Sequence, residues 1–408
     1  MEVVYERCAG LDVHQSSVVA CARLVEGGRV HQELGSFETT MKGLKALRSW
    51  LRKRGCTHAA LEATGVYWKP VWMVLEGSVE LLLANPHEVR NVPGRKSDAT
   101  DAAWLSDLMA HGLIRGSFVP AGPAQALRDL SRTRTQLARE VTRHTQRIQK
   151  TLEATGIKLT GLISDVLGAT GRAILEALIA GESDPATLAQ LKRKGIRATH
   201  EQLRDALCGR VQEHHRVLLR VHLNQVDAIR AAIARLEAEM ESLLEPFRAD
   251  VELVKTAPGI QATTARVVLA EAGLDIVRFS TAGQLLAWTG LCPGSDQSAG
   301  KRRSTRLRHG NPWLRTAMVQ AAWAAIRKKD SYLRSLYFRL RARRGAKKAI
   351  IAVAASLLTA IYHMLTRRVP YSDLGPTYLD QRDRERTIHH LVRRLENLGL
   401  DVELRPAA

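Results

Sequence analysis

The sequence has few cysteines, no long apolar run and no apolar segment at its N-terminus. The five cysteines show no CxxC or other zinc spacing, so we expect reduced, packed thiols. No stretch of about 18 uncharged apolar residues occurs, as a membrane helix would need. The first residues, MEVVYERCAGLDVHQ, carry charges where a signal peptide is apolar. We therefore expect a cytosolic protein without a membrane partner.

Acidic residues are also scarce relative to basic ones. The 408 residues include 41 Asp and Glu against 61 Lys and Arg, a net charge of +20. Residues 301–348 hold 16 Lys or Arg and one acid, Asp330, a local net of +15. A charge run is ordinarily a solvated face, but an excess this dense repels itself without a counter-charge. The excess therefore predicts contact with a polyanion, and we favour nucleic acid.

The pattern predicts a multidomain α/β plus α protein. Residues 1–118 alternate strands and helices, which predicts a mixed α/β sheet domain. The expected strands are CAGLDVHQSSVVACARL, its hairpin partner RVHQELGSFETT, HAALEATG and VELLLANP. The expected helices are GLKALRSWLRKR and DAAWLSDLMAHG.

Residues 119–250 are predicted to be helical, with two heptad patterns. The stronger pattern follows Leu219, Val226, Ile229, Ile233, Leu236, Met240 and Leu243, and the weaker one follows Leu130, Leu137, Val141 and Ile148. Residues 156–210 are expected to form shorter helices between these arms. Either an antiparallel hairpin within one chain or a dimerising coiled coil fits the heptads.

Residues 251–370 are predicted to be mostly helical, and the charged tail 371–408 partly ordered. This region opens with two helices joined by a tight turn in TAPGIQATTA, a helix-hairpin-helix pattern that includes Gly259. Backbone N–H groups at such a turn can hold a phosphate, although ordinary helix packing explains the pattern equally well.

Four carboxylates are the candidate metal ligands. Asp12 and Glu62 interrupt apolar strands, where an uncompensated charge is costly. Asp98 and Asp101 lie three residues apart at the start of a predicted helix, so they share one face. If the four converge, they need a divalent cation, and oxygen ligands suit Mg²⁺ or Mn²⁺. A helix N-cap at Asp98, a favourable helix dipole at Asp101 and an ion pair at Glu62 are the structural alternatives.

A serine in GLCPGSDQSAGKRRSTRLRHGNPWLR is the candidate nucleophile. Ser298, with Ser295 as the second choice, lies in a Gly- and Ser-rich segment followed by arginines that can hold a phosphate. A basic loop in which the serines only form a turn is the alternative. The candidate nucleic-acid contacts are Gly259, Lys301, Arg302, Arg303, Arg306, Arg308 and Arg315.

Together these motifs resemble one family. LDVHQ, LEATGVY, KSDATDA, the APGI turn, GLCPGSDQSAGKRR, RHGNPWLR and the final KKAIIAVAASLL segment occur in order over most of residues 5–371. The chain is thereby similar to the DEDD transposases of bacterial insertion sequences, the IS-one-ten family, which includes pilin-gene invertases.

The resemblance implies more than the composition does. It implies a RuvC-like, ribonuclease-H-type N-terminal domain in which Asp12, Glu62, Asp98 and Asp101 hold Mg²⁺. It implies that Ser298 attacks DNA and becomes covalently joined to it, in an active site completed by another subunit of a dimer or tetramer. It also implies donor and target DNA, a structured element-encoded guide RNA, and a location in the bacterial cytoplasm at the nucleoid.

The function predicted is that of a transposase that cuts and rejoins DNA through a serine–DNA intermediate. A metal-dependent nuclease or junction resolvase that uses only the acidic site and water is one alternative. A nucleic-acid binder without catalysis is the other.

Overall fold

The chain folds into two compact units, residues 1–120 and 121–408. The computed structural model describes residues 2–62, 65–85, 89, 98–114, 116–120, 122–294, 296–298, 301–304 and 306–405, with backbone alone at 296–298 and 301–303.

The first unit is a five-stranded mixed sheet covered by helices on both faces. The strands are β1 (Arg7–Val13), β2 (Ser17–Glu26), β3 (Arg29–Glu38), β4 (His58–Glu62) and β5 (Glu80–Ala84). The sheet order is β3-β2-β1-β4-β5, with β1, β4 and β5 parallel and the other pairings antiparallel. The helices are α1 (Met41–Lys53), α2 (Trp68–Leu75) and α3 (Asp98–Ala110). This is the mixed α/β architecture that the sequence predicts.

The first predicted strand is wrong in one respect, because CAGLDVHQSSVVACARL forms two strands. The chain reverses at the polar residues 14–16, where the backbone N–H of His14 donates to the carbonyl of Ser17 at 2.9 Å. β2 is therefore paired on both edges, with β1 and β3, and its apolar side chains are mostly buried. The other predicted strands and both helices are confirmed, whereas α2 was not predicted.

Helix α3 lies unusually close to β1 because residue 10 has no side chain. A Cβ on Gly10 would lie 2.1 Å from the carbonyl oxygen of Ala102 and 2.5 Å from the amide nitrogen of Ser106. The Cys8 thiol reaches the carbonyl of Ser106, at 3.4 Å. Residues later in α3 thus lie beside earlier residues of β1, so the helix runs antiparallel to the strand.

The second unit contains an arm of two long helices, α4 (Pro123–Ala154) and α8 (Glu213–Leu244). They pack antiparallel, since Arg134 pairs with Glu237 at 2.9 Å and His144 lies 3.2 Å from His222. The two heptad segments therefore pair within one chain. Among the described residues, no buried side chain lies between Ser131 and Ile148 of α4, or between Val226 and Met240 of α8.

The end of the arm carries its own small core. Three short helices lie between the long ones: α5 (Ala169–Ala180), α6 (Pro185–Gln190) and α7 (His200–Ala206). Their apolar side chains pack with Ile148, Leu152, Leu219 and Leu223 of the arm, in a cluster that shares no residue with the C-terminal core. We call residues 148–226 the tip.

The remaining helices pack around the C-terminal core, and one short hairpin lies between two of them. The helices are α9 (Arg248–Lys255), α10 (Ala262–Ala272), α11 (Ala282–Thr289), α12 (Pro312–Ala325), α13 (Tyr332–Arg344), α14 (Ala346–Arg367), α15 (Tyr378–Arg382) and α16 (Arg384–Glu396). The hairpin strands are β6 (Asp296–Ser298) and β7 (Lys301–Ser304). The last two helices, in the charged tail, bury none of their described residues.

The sequence predicts no segment long and apolar enough to span a membrane, but helix α14 meets that description. By length and composition it could cross a membrane, and it is the one helix of the described residues that could. Residues 349–366 of this helix carry no charged side chain, and Ser356, Thr359 and His363 interrupt its apolar run. Ten of its side chains are buried in the C-terminal core.

We predict that Gly10→Ala destabilises the protein by about 1–3 kcal/mol, the usual range for overpacking a tight contact. The added methyl group would meet backbone atoms of α3, which cannot move aside as a flexible side chain could. Chemical denaturation measures the loss. Gly161→Ala is the control, because a Cβ there meets nothing within 4 Å; equal stability of the two variants would contradict the close contact.

Candidate active site

Two of the predicted carboxylates lie side by side at the carboxyl ends of parallel strands. Asp12 is near the end of β1 and Glu62 ends β4, and the register pairs Leu11 with Leu61. Both leucines are buried in the core beneath α1 and α2. Side chains alternate along a strand, so Asp12 and Glu62 lie on the opposite face, which α3 covers.

Helix α3 brings the other two carboxylates to the same edge. Asp98 and Asp101 lie in its first turn, and the antiparallel course of α3 along β1 carries that turn towards the carboxyl end of the strand. Asp12, Asp98 and His14 offer ligand atoms that all lie within 4.8 Å of one another. The fold thus brings Asp12 and Asp98 together, and the tight contact at Gly10 explains how α3 reaches the end of β1.

His14 lies between two of the acids and was not among the residues predicted from the sequence. Its Nε2 is 3.0 Å from Asp12 Oδ2 and 3.6 Å from Asp98 Oδ2. The signal was present in the motif LDVHQ, because a residue two positions after Asp12 can return to the same face of the sheet.

Electrostatics disfavour a charged Asp12 in this cluster. Its side chain is 13% exposed, and burial is the main cause that raises the pKa of its carboxyl. The negative charges of Asp98 and Asp101 raise it further, while His14 opposes the shift. A bound cation would reverse this balance, since it stabilises the carboxylate form.

The donor set suits a divalent cation. Carboxylate oxygens are the ligands that Mg²⁺ and Mn²⁺ take in proteins, and imidazole nitrogen is acceptable to transition metals. Asp12, Glu62, Asp98 and Asp101 would supply oxygen, and His14 is close enough to add nitrogen. The site therefore fits the predicted ion class.

Ser298 lies at the end of β6, opposite Lys301 in a short antiparallel hairpin. The pairing continues towards the base of the hairpin, where Gly294 N–H donates to Arg306 and Arg308 N–H donates to Cys292. The sequence analysis expected only a polar loop here. The side chain of Ser298, and the whole of Ser295, lie outside the described residues.

The basic residues predicted to contact nucleic acid differ in how much of them the structure describes and in their exposure. Lys301, Arg302 and Arg303 belong to β7, and their side chains lie outside the described part of the chain. Arg306 and Arg308 are exposed, and Arg315 of α12 is half-buried. Their charges are thus on or near the surface of the second unit.

The backbone conformation and packing at residue 259 explain why a glycine is needed there. Its φ is +76°, and a Cβ there would lie 2.3 Å from the carbonyl oxygen of Ala321 in α12. The turn between α9 and α10 therefore needs glycine for packing, whether or not it contacts phosphate.

Comparison with known proteins places the chain among transposases. Residues 9–157 match a family model described as a transposase and named for the DEDD transposases of IS110 elements. Residues 251–338 match a model described as transposase of the IS116/IS110/IS902 family. Together the matches cover more than half of the chain, which belongs to the IS110 family of transposases. This family is the one written as IS-one-ten above, so the resemblance is confirmed.

A curated relative supports the same assignment. The protein y4rJ of Sinorhizobium fredii (strain NBRC 101917 / NGR234), whose name marks it as a candidate transposase, is 29% identical over 250 residues. The match covers 60% of this chain and 58% of that relative's length.

We predict that Asp12→Asn leaves the melting temperature unchanged or raises it when divalent ions are chelated. The raised pKa means that folding favours the neutral carboxyl relative to the unfolded chain, so some stability is lost as the pH rises through the folded-state pKa. Asparagine mimics the neutral form at every pH. With Mg²⁺ or Mn²⁺ at about 100 times its Kd, the parent gains about 2.7 kcal/mol, and the variant gains much less.

The control is Asp107→Asn, on the same helix but paired with the buried Arg23 at 2.9 Å. That variant loses stability and keeps the gain on metal binding. An Asp12→Asn protein that gained as much from metal as the parent would contradict the assigned role.

Proposed function

We propose that this protein is a DNA transposase that cuts and rejoins strands through a covalent serine–DNA link. The observation that carries the proposal is the gathering of Asp12, His14 and Asp98 at one sheet edge, beside Glu62, in a member of the IS110 family. The N-terminal unit would be RuvC-like. Its mixed sheet, with a carboxylate near the end of each of two adjacent parallel strands, supports this assignment.

The acidic residues would hold the cation and the scissile phosphate at one place. Mg²⁺ or Mn²⁺, when bound, supplies positive charge that stabilises the attacking and leaving oxygens at a phosphodiester. Asp12 contributes because burial and its acidic neighbours leave its carboxylate without sufficient compensation until a cation is near. Exposed arginines such as Arg306 and Arg308 would hold DNA phosphates in register.

Ser298 would carry out the exchange of phosphodiester bonds. Its Oγ forms a bond to phosphorus as the bond from phosphorus to one DNA oxygen breaks, and the serine proton ends on that departing oxygen. A strand end of the second DNA then attacks the phosphoserine, and its proton returns to Oγ. One ester replaces another in each step, so no ATP is needed.

The partners follow from the same proposal. Donor and target DNA are the substrates, and a structured RNA from the element would supply target choice by base pairing, which leaves sequence readout outside the protein. The dense positive charge of residues 301–348 supports nucleic-acid contact. A dimer or tetramer in the bacterial cytoplasm, at the nucleoid, would complete the active site.

We expect Ser298→Ala to abolish the denaturation-resistant protein–DNA adduct and to leave DNA affinity within about twofold, because only the nucleophile is removed. Gel analysis under denaturing conditions, with labelled DNA, measures the adduct. Ser295→Ala is the matched control and should still form it. Recombination by the Ser298→Ala protein would assign cleavage to water at the acidic site, as in a resolvase.

Arg308→Ala should lower the slope of log affinity against log salt by about 1 and weaken binding to all sequences alike. Its guanidinium is exposed on the hairpin stem, so it can reach phosphate without a change in the core. Fluorescence anisotropy at several salt concentrations measures the slope. An unchanged slope would remove Arg308 from the DNA contact.

A further inference from the structure

Glu271 is a carboxylate fully buried in the C-terminal core, and three residues from two other parts of the chain converge on it. Its side chain is 0% exposed, in a helix whose neighbouring positions are apolar. Arg132 of the arm binds both of its oxygens, at 2.7 and 2.8 Å. Arg128, one helical turn earlier, lies 3.4 Å away and donates to the backbone carbonyl of Glu271 at 2.6 Å. A bidentate, buried ion pair of this kind fixes orientation as well as distance.

The third partner is Asn311, at the start of α12. Its side-chain amide donates to Glu271 at 2.6 Å, and its side-chain oxygen caps α12 by accepting from Trp313 and Leu314. The backbone N–H of Asn311 donates to the carbonyl of Trp288, the residue that precedes the serine hairpin by a few positions. Asn311 therefore closes the base of that hairpin.

The hairpin stem is built tightly onto this base. A Cβ on Gly310 would lie 2.4 Å from the amide nitrogen of Gly290, so the two chain segments touch backbone to backbone. From there the pairing of Arg308 with Cys292 and of Arg306 with Gly294 leads to β6 and Ser298. Six residue steps separate Cys292 from Ser298, which at the rise of a β-strand correspond to a length of up to about 20 Å.

We propose that Glu271 is a positioning residue that fixes the base of the serine hairpin to the arm helix, so that the orientation of the arm sets the position of Ser298. The inference rests on the proposed role of Ser298. A rotation of a few degrees at the base moves the end of a 20 Å stem by about 1 Å, a displacement that can cost on the order of 100-fold in rate. An apolar residue could pack at this point but could not join the three elements, as the buried charge does.

The arm side of the connection has a second contact. The guanidinium groups of Arg132 and Arg139 lie 5.7 and 5.2 Å from the ring centroid of Trp313, in the first turn of α12. Arg128 is also buried at this junction, and this burial lowers the pKa of its guanidinium to about 10. Arg132 and Arg139, two helical turns apart on α4, thus both contact α12, the helix that Asn311 caps.

The experiment separates the positioning role from the cap and from the core. In Asn311→Ser the hydroxyl still caps α12, because serine is a good N-cap residue, but the amide donor to Glu271 is lost. In Arg132→Lys the charge remains, but the bidentate fork is lost. Arg134→Lys is the matched control, since Arg134 lies on the same helix and pairs with Glu237 instead.

Hydrogen–deuterium exchange of the full chain is the first measurement. We expect the amides of residues 292–308 to exchange about tenfold faster or more in Asn311→Ser and Arg132→Lys, and at the parent rate in Arg134→Lys. The first turn of α12 keeps its protection in all three. Parent-like exchange of the stem in Asn311→Ser, or faster exchange spread over the whole of residues 251–370, would overturn the proposal.

The second measurement is adduct formation at saturating DNA. The two variants that disturb Glu271 should form the adduct on the order of 100-fold more slowly, with the half-saturating DNA concentration within twofold of the parent. A slowed rate that rose to the parent value at higher DNA concentration would also count against positioning. If the parent itself forms no adduct, the proposed function fails, and the exchange measurement still tests the coupling.

Discussion

The contact between Gly10 and the backbone of α3 is the constraint on which the acidic site depends. It allows a helix to lie against a central strand at a distance that any Cβ would prevent. The antiparallel course of α3 then carries its acidic first turn to the strand ends. Asp12 thereby comes within electrostatic reach of Asp98 and Asp101, whose charges raise the pKa of its carboxyl, while His14 lowers it.

The sequence predicted Asp98 and Asp101 from their spacing at the start of a helix, and Asp12 and Glu62 from a conflict with their setting. A carboxylate within an apolar strand, as at Asp12 and Glu62, needs a reason that local packing does not provide. The sequence could not predict their geometry, which depends on strand order and on the single tight contact at residue 10. LDVHQ places His14 two positions after Asp12, but its contact with Asp98 depends on how the fold brings α3 to the end of β1.

The second unit was harder to predict. The heptads in α4 and α8 fit either a hairpin within one chain or a coiled coil between two chains. Only the fold shows that the two helices pair within the chain. The hairpin that carries Ser298 was predicted to be a loop. Its Gly- and Ser-rich sequence lacks the alternation of apolar and polar residues that predicts a strand. Glu271 was overlooked because one acid in a helix usually faces solvent, and its burial among three partners depends on contacts about 40 and 140 residues away.

The two ends of the arm belong to two core clusters that share no residue, so the tip has a core of its own. Neither family model extends across it: one match ends at residue 157 and the other begins at 251. A segment that closes on itself at the end of a two-helix stalk can be lengthened, shortened or exchanged without disturbing the carboxylates or the hairpin. The tip is therefore where members of such a family can diversify while the chemistry stays as it is.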